Sequence, residues 1–540
     1  MPVFETRLDI RSKKFEKNRN DNLELIERLR ELEQRAETIS DKRRPVFEKR
    51  GQLTPRERLQ HLLDPGMPFL RLHSLTNYLV EDPDPESSIP GGSVILGIGF
   101  INGVRSMIWV DDSGIRAGTA TRAGWDASAK IQELALRHKL PLIHLVESAG
   151  VNLMDYEVEL WADAGKLFRN LARLSAAGVP TVVVLHGPST AGGAYMPGMS
   201  DYVIGIKKNG LAALGGAALV RAATGEIADE RELGGSEMHA QRTGLVEYLA
   251  DDDAHGIGIA RDVISRLGWN RNSLGTNRVS YASPIYDEEE ILGLVPTDYT
   301  DPYDVREVIA RVVDDSDFTE FGAGHGPSTI CVHSSILGIK CAIIGNNGPF
   351  DVEGANKCTH FLQLCDQADL PIIFLNNITG YMVGTQYEQA GMVKHGSKMI
   401  QAVTNVRVPR ITLYIGASFG AGNYGMSGYA YEPDFLFSWP NASTGVMGGE
   451  QAAKTMRHVA EVAAERRGEE FDQKSLELQE NTIKEIFGKQ QSAFYTSGRN
   501  LDHGVIDPRD TRRVLGFALE TCIEARGRRL SPNTFGVARA

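Results

Sequence analysis

No stretch of this chain is long and unbroken enough to cross a membrane as a helix. The charge-free run from Leu174 to Ser200 has the length, but Pro180, Pro188, Pro197 and the pair Gly192-Gly193 interrupt it. A spanning helix needs roughly 20 consecutive apolar residues. Cysteine is scarce: the five present (Cys331, Cys341, Cys358, Cys365, Cys522) all lie in the C-terminal half, and none forms Cys-x-x-Cys. An odd number without that spacing argues against a disulfide framework, excludes a zinc ribbon and fits a reducing compartment. Positive charge is not in excess either. The 58 Lys+Arg against 70 Asp+Glu leave a net charge of −12, which speaks against a general nucleic-acid or anionic-membrane binder. The opening Met-Pro-Val-Phe-Glu-Thr-Arg has no apolar core of a signal peptide and carries acids that transit peptides avoid, so a cytoplasmic location is expected.

What is present is 540 residues, 42% hydrophobic and 24% charged, an ordinary folded composition. That length suits two domains of about 250 residues. The chain also repeats itself. Leu140-Pro-Leu-Ile-His-Leu-Val-Glu-Ser-Ala-Gly150 aligns with Leu370-Pro-Ile-Ile-Phe-Leu-Asn-Asn-Ile-Thr-Gly380, and Lys130–Ala135 with His360–Cys365. Val179–Gly187 matches Val408–Gly416, Ala191-Gly-Gly-Ala-Tyr195 matches Gly420-Ala-Gly-Asn-Tyr424, and Ser200–Gly216 pairs with Pro433–Gly449, sharing Asp201/Asp434. The matches keep one order and share Pro and Gly positions, which are punctuation rather than composition. The chain is read as a tandem duplication with halves 1–285 and 286–540, joined near Ser280–Pro296.

Each half alternates apolar, β-branched runs such as Val182–Leu185 and Ile411–Ile415 with amphipathic helical stretches. This implies an α/β fold with largely parallel strands. Asn102-Gly103 between Val94–Ile101 and Val104–Val110 signals a hairpin. Ahead of the repeat, residues 13–37 are charged, with Leu25, Leu29, Leu32 and Ala36 on one helical face; a solvated helical arm is expected. Thr54-Pro55-Arg56-Glu57 is a capping box with Pro at the first helical position, and Asp64-Pro65-Gly66 stops that helix.

Two motifs mislead. Gly416-Ala-Ser418-Phe-Gly420 has the form of a nucleophile elbow, for which Asp434 and His458, or Asp502 and His503, could serve as partners. Its duplicate, Gly187-Pro-Ser189-Thr-Ala191, keeps the serine but loses the pentapeptide, and a hydrolase needs no second core. Gly420-Ala-Gly-Asn-Tyr-Gly425 fits a dinucleotide fingerprint, but Glu432 and Asp434 come too early and Glu450 follows Gly448-Gly449 rather than ending a strand. What the halves share is a strand, a small-residue turn and a helix start. Such a turn admits a ligand to the backbone and presents N–H groups to it. Two donors aimed at one oxygen form an oxyanion hole, worth about 2.7–4 kcal/mol per donor. Close strand–helix packing selects the same small residues. Two facing copies suggest two carbonyl compounds that each pass through an anionic form.

Over almost its whole length the chain resembles the carboxyltransferase (β) subunit of biotin-dependent acyl-CoA carboxylases. The resemblance rests on Leu53-Thr-Pro-Arg-Glu-Arg-Leu with Leu62-Leu-Asp-Pro-Gly66, on Thr190-Ala-Gly-Gly-Ala-Tyr195 and on Leu219-Val-Arg-Ala-Ala-Thr-Gly-Glu226. In the second half it rests on Asn377–Gly384, Ser418–Met426 and Val446–Ala453, a set closest to the methylcrotonyl-CoA and geranyl-CoA carboxylase branch. The resemblance implies two crotonase-like domains of the ClpP/crotonase spiral kind with an N-terminal helical arm, residues 1–285 on the acyl-CoA side and 286–540 on the carboxybiotin side. It implies that carboxybiotin arrives on a carrier from a partner, loses CO₂, and as the biotin enolate deprotonates an acyl-CoA that then captures the CO₂. Ala191, Gly192 and Gly193 would hold the thioester oxygen; Gly420, Ala421, Gly422 and Asn423 would hold the ureido oxygen of biotin. Ser148, Ala149, Gly150, Ala164 and Gly165 would line the substrate site. The chain has neither a Met-Lys-Met biotinylation site nor a Walker-type loop. An ATP-using, biotin-carrying (alpha) subunit is therefore expected, with a homo-oligomer, commonly a hexamer, and no metal, nucleic acid or membrane.

Three departures concern the substrate. The chain reads Glu147-Ser-Ala-Gly-Val151 where the family often has Asp-Ser-Gly-Gly-Ala, and Gly215-Gly-Ala-Ala-Leu-Val220 where the branch has Gly-Gly-Pro-Pro-Leu-Val. It has Ala164 ahead of Gly165-Lys166 where a bulky aromatic is usual. Loss of that ring would deepen the acyl pocket for a longer chain such as geranyl-CoA. A biotin-dependent acyl-CoA decarboxylase α subunit and a catalytically silent scaffold paralogue share the same fold and stay open at this point.

Overall fold

The computed structural model describes residues 4–119, 121–150, 157–272, 280–467 and 473–537. Contacts divide the chain into two units. One comprises Glu31–Thr276, Gly498–Asn500 and Thr521–Ala540 and is called the N-terminal unit; the other comprises Met1–Arg30, Asn277–Ser497 and Leu501–Glu520 and is called the C-terminal unit.

Helix α1 (Lys13–Asp41) departs from the expected solvated arm. Its buried face runs through Asn18, Asn22, Ile26, Leu29, Leu32, Ala36 and Ser40, while Leu25 is only half-buried. The asparagines hid this face from a hydrophobic reading. Asn22 Nδ2 donates to the carbonyls of Leu292 and Val295 at 2.9 and 2.7 Å, and Asn18 Nδ2 to that of Gly293 at 3.1 Å, inside the C-terminal unit. Within the N-terminal unit, Ser40 Oγ donates to Asp112 Oδ1 at 2.5 Å. Helix α2 (Pro55–Leu62) opens with the expected capping box between Thr54 and Glu57.

In the N-terminal unit the sheet order is β1-β2-β3-β4-β5-β6-β8, with β7 beside β5. The strands are β1 (Leu70–Leu72), β2 (Val94–Ile101), β3 (Val104–Asp111), β4 (Leu142–Ser148), β5 (Thr181–Thr190), β6 (Tyr202–Ile206), β7 (Leu211–Ala213) and β8 (Tyr248–Ala250). β2 and β3 form the antiparallel hairpin and β3 through β6 run parallel. Helices α3 (Arg122–Arg137), α4 (Val158–Ala177) and α5 (Asp253–Arg266) link or follow the strands. Strand alternation sorts the two sheet faces. Ile108, Val110, Ile143, Leu145, Val182 and Val184 pack with Ile257, Ala260 and Ile264 of α5. The opposite face carries Trp109, His144 and Val146.

The C-terminal unit repeats this plan. Its order is β14-β13-β12-β11-β10-β9, with β15 beside β13: β9 (Thr319–Glu320), β10 (Thr329–Ile336), β11 (Ile339–Asn346), β12 (Ile372–Ile378), β13 (Arg410–Phe419), β14 (Phe435–Ser438) and β15 (Ser443–Gly445). Helices α6 (Val352–Gln367) and α7 (Met392–Asn405) cover a core that includes Phe361, Cys358, Cys365, Phe374 and Met399.

The duplication extends to single hydrogen bonds. Asn102-Gly103 and Leu337-Gly338 both turn with left-handed backbone, φ +48 and +73 against +51 and +78. An aspartate holds each turn: Asp64 accepts from the N–H groups of Asn102 and Gly103 at 2.8 and 2.7 Å, and Asp314 from those of Leu337 and Gly338 at 2.9 and 2.8 Å. Asp201 accepts from the N–H of Thr181, and Asp434 from that of Arg410, each at 2.9 Å, which explains the shared acid. Thr121 caps α3 through the N–H of Gly124, and Asp351 caps α6 through that of Gly354. No helix among the described residues is long and apolar enough to cross a membrane.

Candidate active site

Strand β5 ends at Thr190 and passes into a tight helical turn, Ala191–Ala194, followed by a short helix, Tyr195–Met199. Strand β13 ends at Phe419 and passes into α8 (Gly420–Gly425). The two junctions have one backbone form. Thr190 and Phe419 are extended, each with φ −113, and the next residue is left-handed, Ala191 at φ +54 and Gly420 at φ +53. Alanine in that conformation costs about 1–2 kcal/mol. The N–H groups at the start of a helical turn precede any carbonyl of the turn that could accept them, so they face a ligand or water. Ser189 Oγ donates to the carbonyl of Gly193 at 2.8 Å and locks the first turn, and a Cβ on Gly193 would lie 3.1 Å from that oxygen.

Ala191, Gly192 and Gly193 line a cavity of about 820 Å³ between the sheet and helices α3 and α4 of the N-terminal unit. Ser148, Gly150, Ala164 and Gly165 line it too, so seven of the eight acyl-side residues named from sequence meet there. Ala149 is not among the lining residues; its N–H donates to the carbonyl of Ala117 at 3.0 Å. The Ser148 hydroxyl is engaged as well. It donates to the carbonyl of Gly118 at 2.7 Å and accepts from the N–H of Gly150 at 3.1 Å, so it shapes the cavity wall rather than reacting. Val151, the last residue of that motif, lies outside the described residues.

Glu147 points away from this chemistry. Its Oε2 lies 2.6 Å from Arg58 Nη1, and Arg58 Nε lies 2.8 Å from Asp253 Oδ2, all three side chains being buried. His186 Nδ1 sits 2.8 Å from Asp253 Oδ1. Burial pushes His186 below the usual histidine range. Burial alone would raise Asp253, but His186 and Arg58 outweigh it and hold the carboxyl well below the usual carboxylate range. Gly187 is small because Glu147 needs the room, since a Cβ there would lie 2.4 Å from Glu147 Cγ. At the equivalent place in the C-terminal unit a Cβ on Gly416 would lie 2.4 Å from Asn377 Oδ1. The β4/β5 and β12/β13 registers both shift at this level.

In α8, Ala421 is exposed whereas Gly422 and Asn423 are buried. Asn423 Nδ2 donates to Ser418 Oγ at 2.7 Å and to Tyr414 Oη at 3.0 Å, so its side chain braces the turn from behind. Burial pushes the Tyr414 phenol up to about 12, keeping it a neutral partner. Ser418, the apparent elbow serine, is fully buried against Asn423 and is no exposed nucleophile. A Cβ on Gly422 would come within 2.7 Å of Ile378 Cγ1.

Sequence reasoning missed Trp109, Asp111 and His144. Their signal was available: alternate positions on β3 and a histidine inside an apolar strand share one sheet face. All three line the same cavity.

Residues 47–535 match the family model described as a carboxyl transferase domain. A probable biotin-dependent acyl-coenzyme A carboxylase beta2 subunit of Mycobacterium tuberculosis is 44% identical over 91% of each chain. The mitochondrial methylcrotonoyl-CoA carboxylase beta chain of Arabidopsis thaliana is 39% identical over 91% of this chain and 84% of its own. The crystal structure of the P. aeruginosa geranyl-CoA carboxylase beta subunit superposes with a TM-score of 0.93 at 45% identity, covering 100% of both chains.

Proposed function

The chain belongs to the carboxyl transferase family, and we propose that its two duplicated turns divide one reaction between them. The protein is an acyl-CoA carboxyltransferase subunit that moves a carboxyl group from carboxybiotin to an acyl-CoA. The observation that carries the division of labour is the matched backbone of the turns at Ala191 and Gly420, each opening a helix directly after a parallel strand.

In the N-terminal unit, the N–H groups of Ala191–Gly193 hold the thioester oxygen of the acyl-CoA. Negative charge builds on that oxygen as the substrate loses its proton, and fixed donors stabilise it without reorganising. Ser148 and Gly150 shape the wall beside the oxygen, and Ala164 and Gly165 leave room for the acyl chain. In the C-terminal unit the turn suits a ureido oxygen. Gly420 and Ala421 admit a flat ring to the backbone, and Asn423, tied to Ser418 and Tyr414, keeps the donors in place. Carboxybiotin supplies the carboxyl group and, once decarboxylated, the base. No side chain of this protein need take that proton.

The acyl-CoA side is thus the unit built mainly from Glu31–Thr276 and the carboxybiotin side the unit built mainly from Asn277–Ser497; the simple halves 1–285 and 286–540 are modified because Met1–Arg30 belongs to the C-terminal unit and Thr521–Ala540 to the N-terminal one. Biotin is carried by an alpha subunit, and the working assembly is a homo-oligomer, a hexamer by the family resemblance, in the cytoplasm. The missing ring at Ala164, which lines the cavity, supports a branched, unsaturated or medium-length acyl group such as geranyl over a short one. Fixation of labelled bicarbonate by the chain with its biotin-carrying partner and ATP, across a panel of acyl-CoAs, tests this. Label appearing in a medium-chain acyl-CoA is expected. Label in none of the panel overturns the reading.

A further inference from the structure

A second cavity, of about 590 Å³, adjoins the other turn and lies wholly within the C-terminal unit. Its inner end is formed by Phe419, the last residue before Gly420, and by Thr379. Thr379 stands against the turn as well, since a Cβ on Gly422 would lie 3.0 Å from the Cα of Gly380, the next residue. The outer end is one face of the helix Gly449–Arg467, with Gln451 and Lys454. Tyr299 closes one side. Its ring stands edge-on to that of Phe419 at 5.1 Å and 85°, so the buried Phe419 backs the exposed part of the phenol. The Tyr299 hydroxyl lies over Gly448, where a Cβ would come 2.4 Å from Oη; the glycine is what leaves it room. Among the described residues, Tyr299 Oη has no hydrogen-bond partner, and neither have the hydroxyl of Thr379 and the side-chain amide of Gln451. None of the three is sealed in the interior: Thr379 and Gln451 are exposed and Tyr299 is half-buried. A phenol with an apolar body and a polar tip ordinarily finds a partner for that tip. At the rim, Lys454 Nζ lies 4.0 Å from Glu450 Oε2, so the charges there offset each other. What is left between rim and turn is one aromatic wall with neutral donors and acceptors.

We propose that this cavity takes the tether of carboxybiotin, the aliphatic chain with one secondary amide at its middle that joins the bicyclic head to the carrier's lysine. This rests on the second turn holding the ureido oxygen. The chain grows from the head on the side away from that oxygen, so a head seated on the turn sends its tether out of the backbone cradle, and the cavity beside Phe419 receives it. The chemistry matches part by part. Methylenes lie against the Tyr299 ring. Tyr299 Oη donates to the carbonyl of the tether amide, and Thr379 or Gln451 accepts from its N–H. An uncharged amide suits a lining whose only opposite charges already face each other at the rim.

Saturation-transfer NMR on the purified protein tests this without ATP or turnover. Two probes share the bicyclic head: biotin N-butylamide, which carries the tether amide, and biotinol, which has no amide. The butylamide is expected to bind about fivefold more tightly, as one hydrogen bond between neutral groups allows. Tyr299→Phe, which removes only the hydroxyl, should erase that preference and leave biotinol binding as it was. Gly448→Ala, which keeps the hydroxyl but displaces it, should erase it too. Equal affinity of the two probes for the parent protein, or a preference that survives Tyr299→Phe, overturns the tether subsite and leaves the biotin reading of the turn standing. No transfer to the ring protons of either probe overturns that reading together with the subsite.

Discussion

Arg58 Nη1 lies 2.6 Å from Glu147 Oε2, with side-chain exposures of 0% and 5%. Glu147 immediately precedes Ser148, whose hydroxyl holds the Gly118 carbonyl at the cavity wall. A charge pair buried behind the substrate site therefore sets where β4 ends. Breaking a buried pair outright costs about 3–5 kcal/mol; here Arg58 keeps Asp253 at 2.8 Å, so that figure is an upper bound. Glu147→Gln is expected to lose stability within that bound in urea unfolding, and the charge-conserving Glu147→Asp less. Equal losses for the two variants would remove the charge argument and leave only packing.

Ala164 lines the cavity where a larger ring would narrow it. Ala164→Phe should depress kcat/KM for medium-chain acyl-CoAs by about tenfold or more, in line with a few methylenes losing their place in an apolar pocket. Short acyl-CoAs should be affected much less. Matching losses for short and long chains would show that the site has merely been repacked.

Asn423 separates the two halves of the reaction. Asn423→Ala leaves the hydroxyls of Ser418 and Tyr414, both buried, without their shared donor, which should destabilise the protein by about 1–3 kcal/mol. Carboxyl transfer should fall while acyl-CoA affinity, measured by calorimetry, stays where it was. A parallel drop in acyl-CoA affinity would contradict the division of labour between the turns.

Acid should weaken the N-terminal unit through two histidines. Burial, aided by Lys130, holds His73 down to about 3, and burial also lowers His186. In the unfolded chain each titrates near about 6.5. Between those values the unfolded chain binds protons the folded one does not, so stability is complete above about pH 6.5 and is lost as pH falls. Each histidine contributes a slope of about 1.4 kcal/mol per pH unit inside its window. Urea unfolding of His73→Gln at several pH values from 6 to 4 should show a shallower slope than the parent; an unchanged slope would show that His73 does not titrate on unfolding.

The duplication was legible because its markers are backbone-driven. Pro and Gly at strand ends, Asp201 and Asp434 before β6 and β14, and the two small-residue turns each perform a backbone task that few residue types perform. The capping box at Thr54 and the hairpin at Asn102-Gly103 could be read for the same reason. Leu337-Gly338 was not recognised as the second hairpin, since leucine in a left-handed turn has no sequence signal and is held by Asp314 from a distant segment. Asn18 and Asn22 concealed the buried face of α1 because their polarity is met by carbonyls 270–275 residues away. Glu147 read as a departure near the substrate site; only its pairing with Arg58 places it behind that site. Trp109 and Asp111 alternate on β3 and His144 lies on β4; each strand's alternation was readable, but the pairing that sets His144 beside Trp109 has no local signal.

All five cysteines are buried, and burial pushes the thiols of Cys341 and Cys365 up, the latter to about 12. A maleimide added to the native protein would reach none of these buried thiols, so labelling becomes a clock for opening. Four of the five report on the C-terminal unit and Cys522 alone on the N-terminal one. Counting adducts by mass against time would therefore tell which lobe lets go first, with no engineered probe.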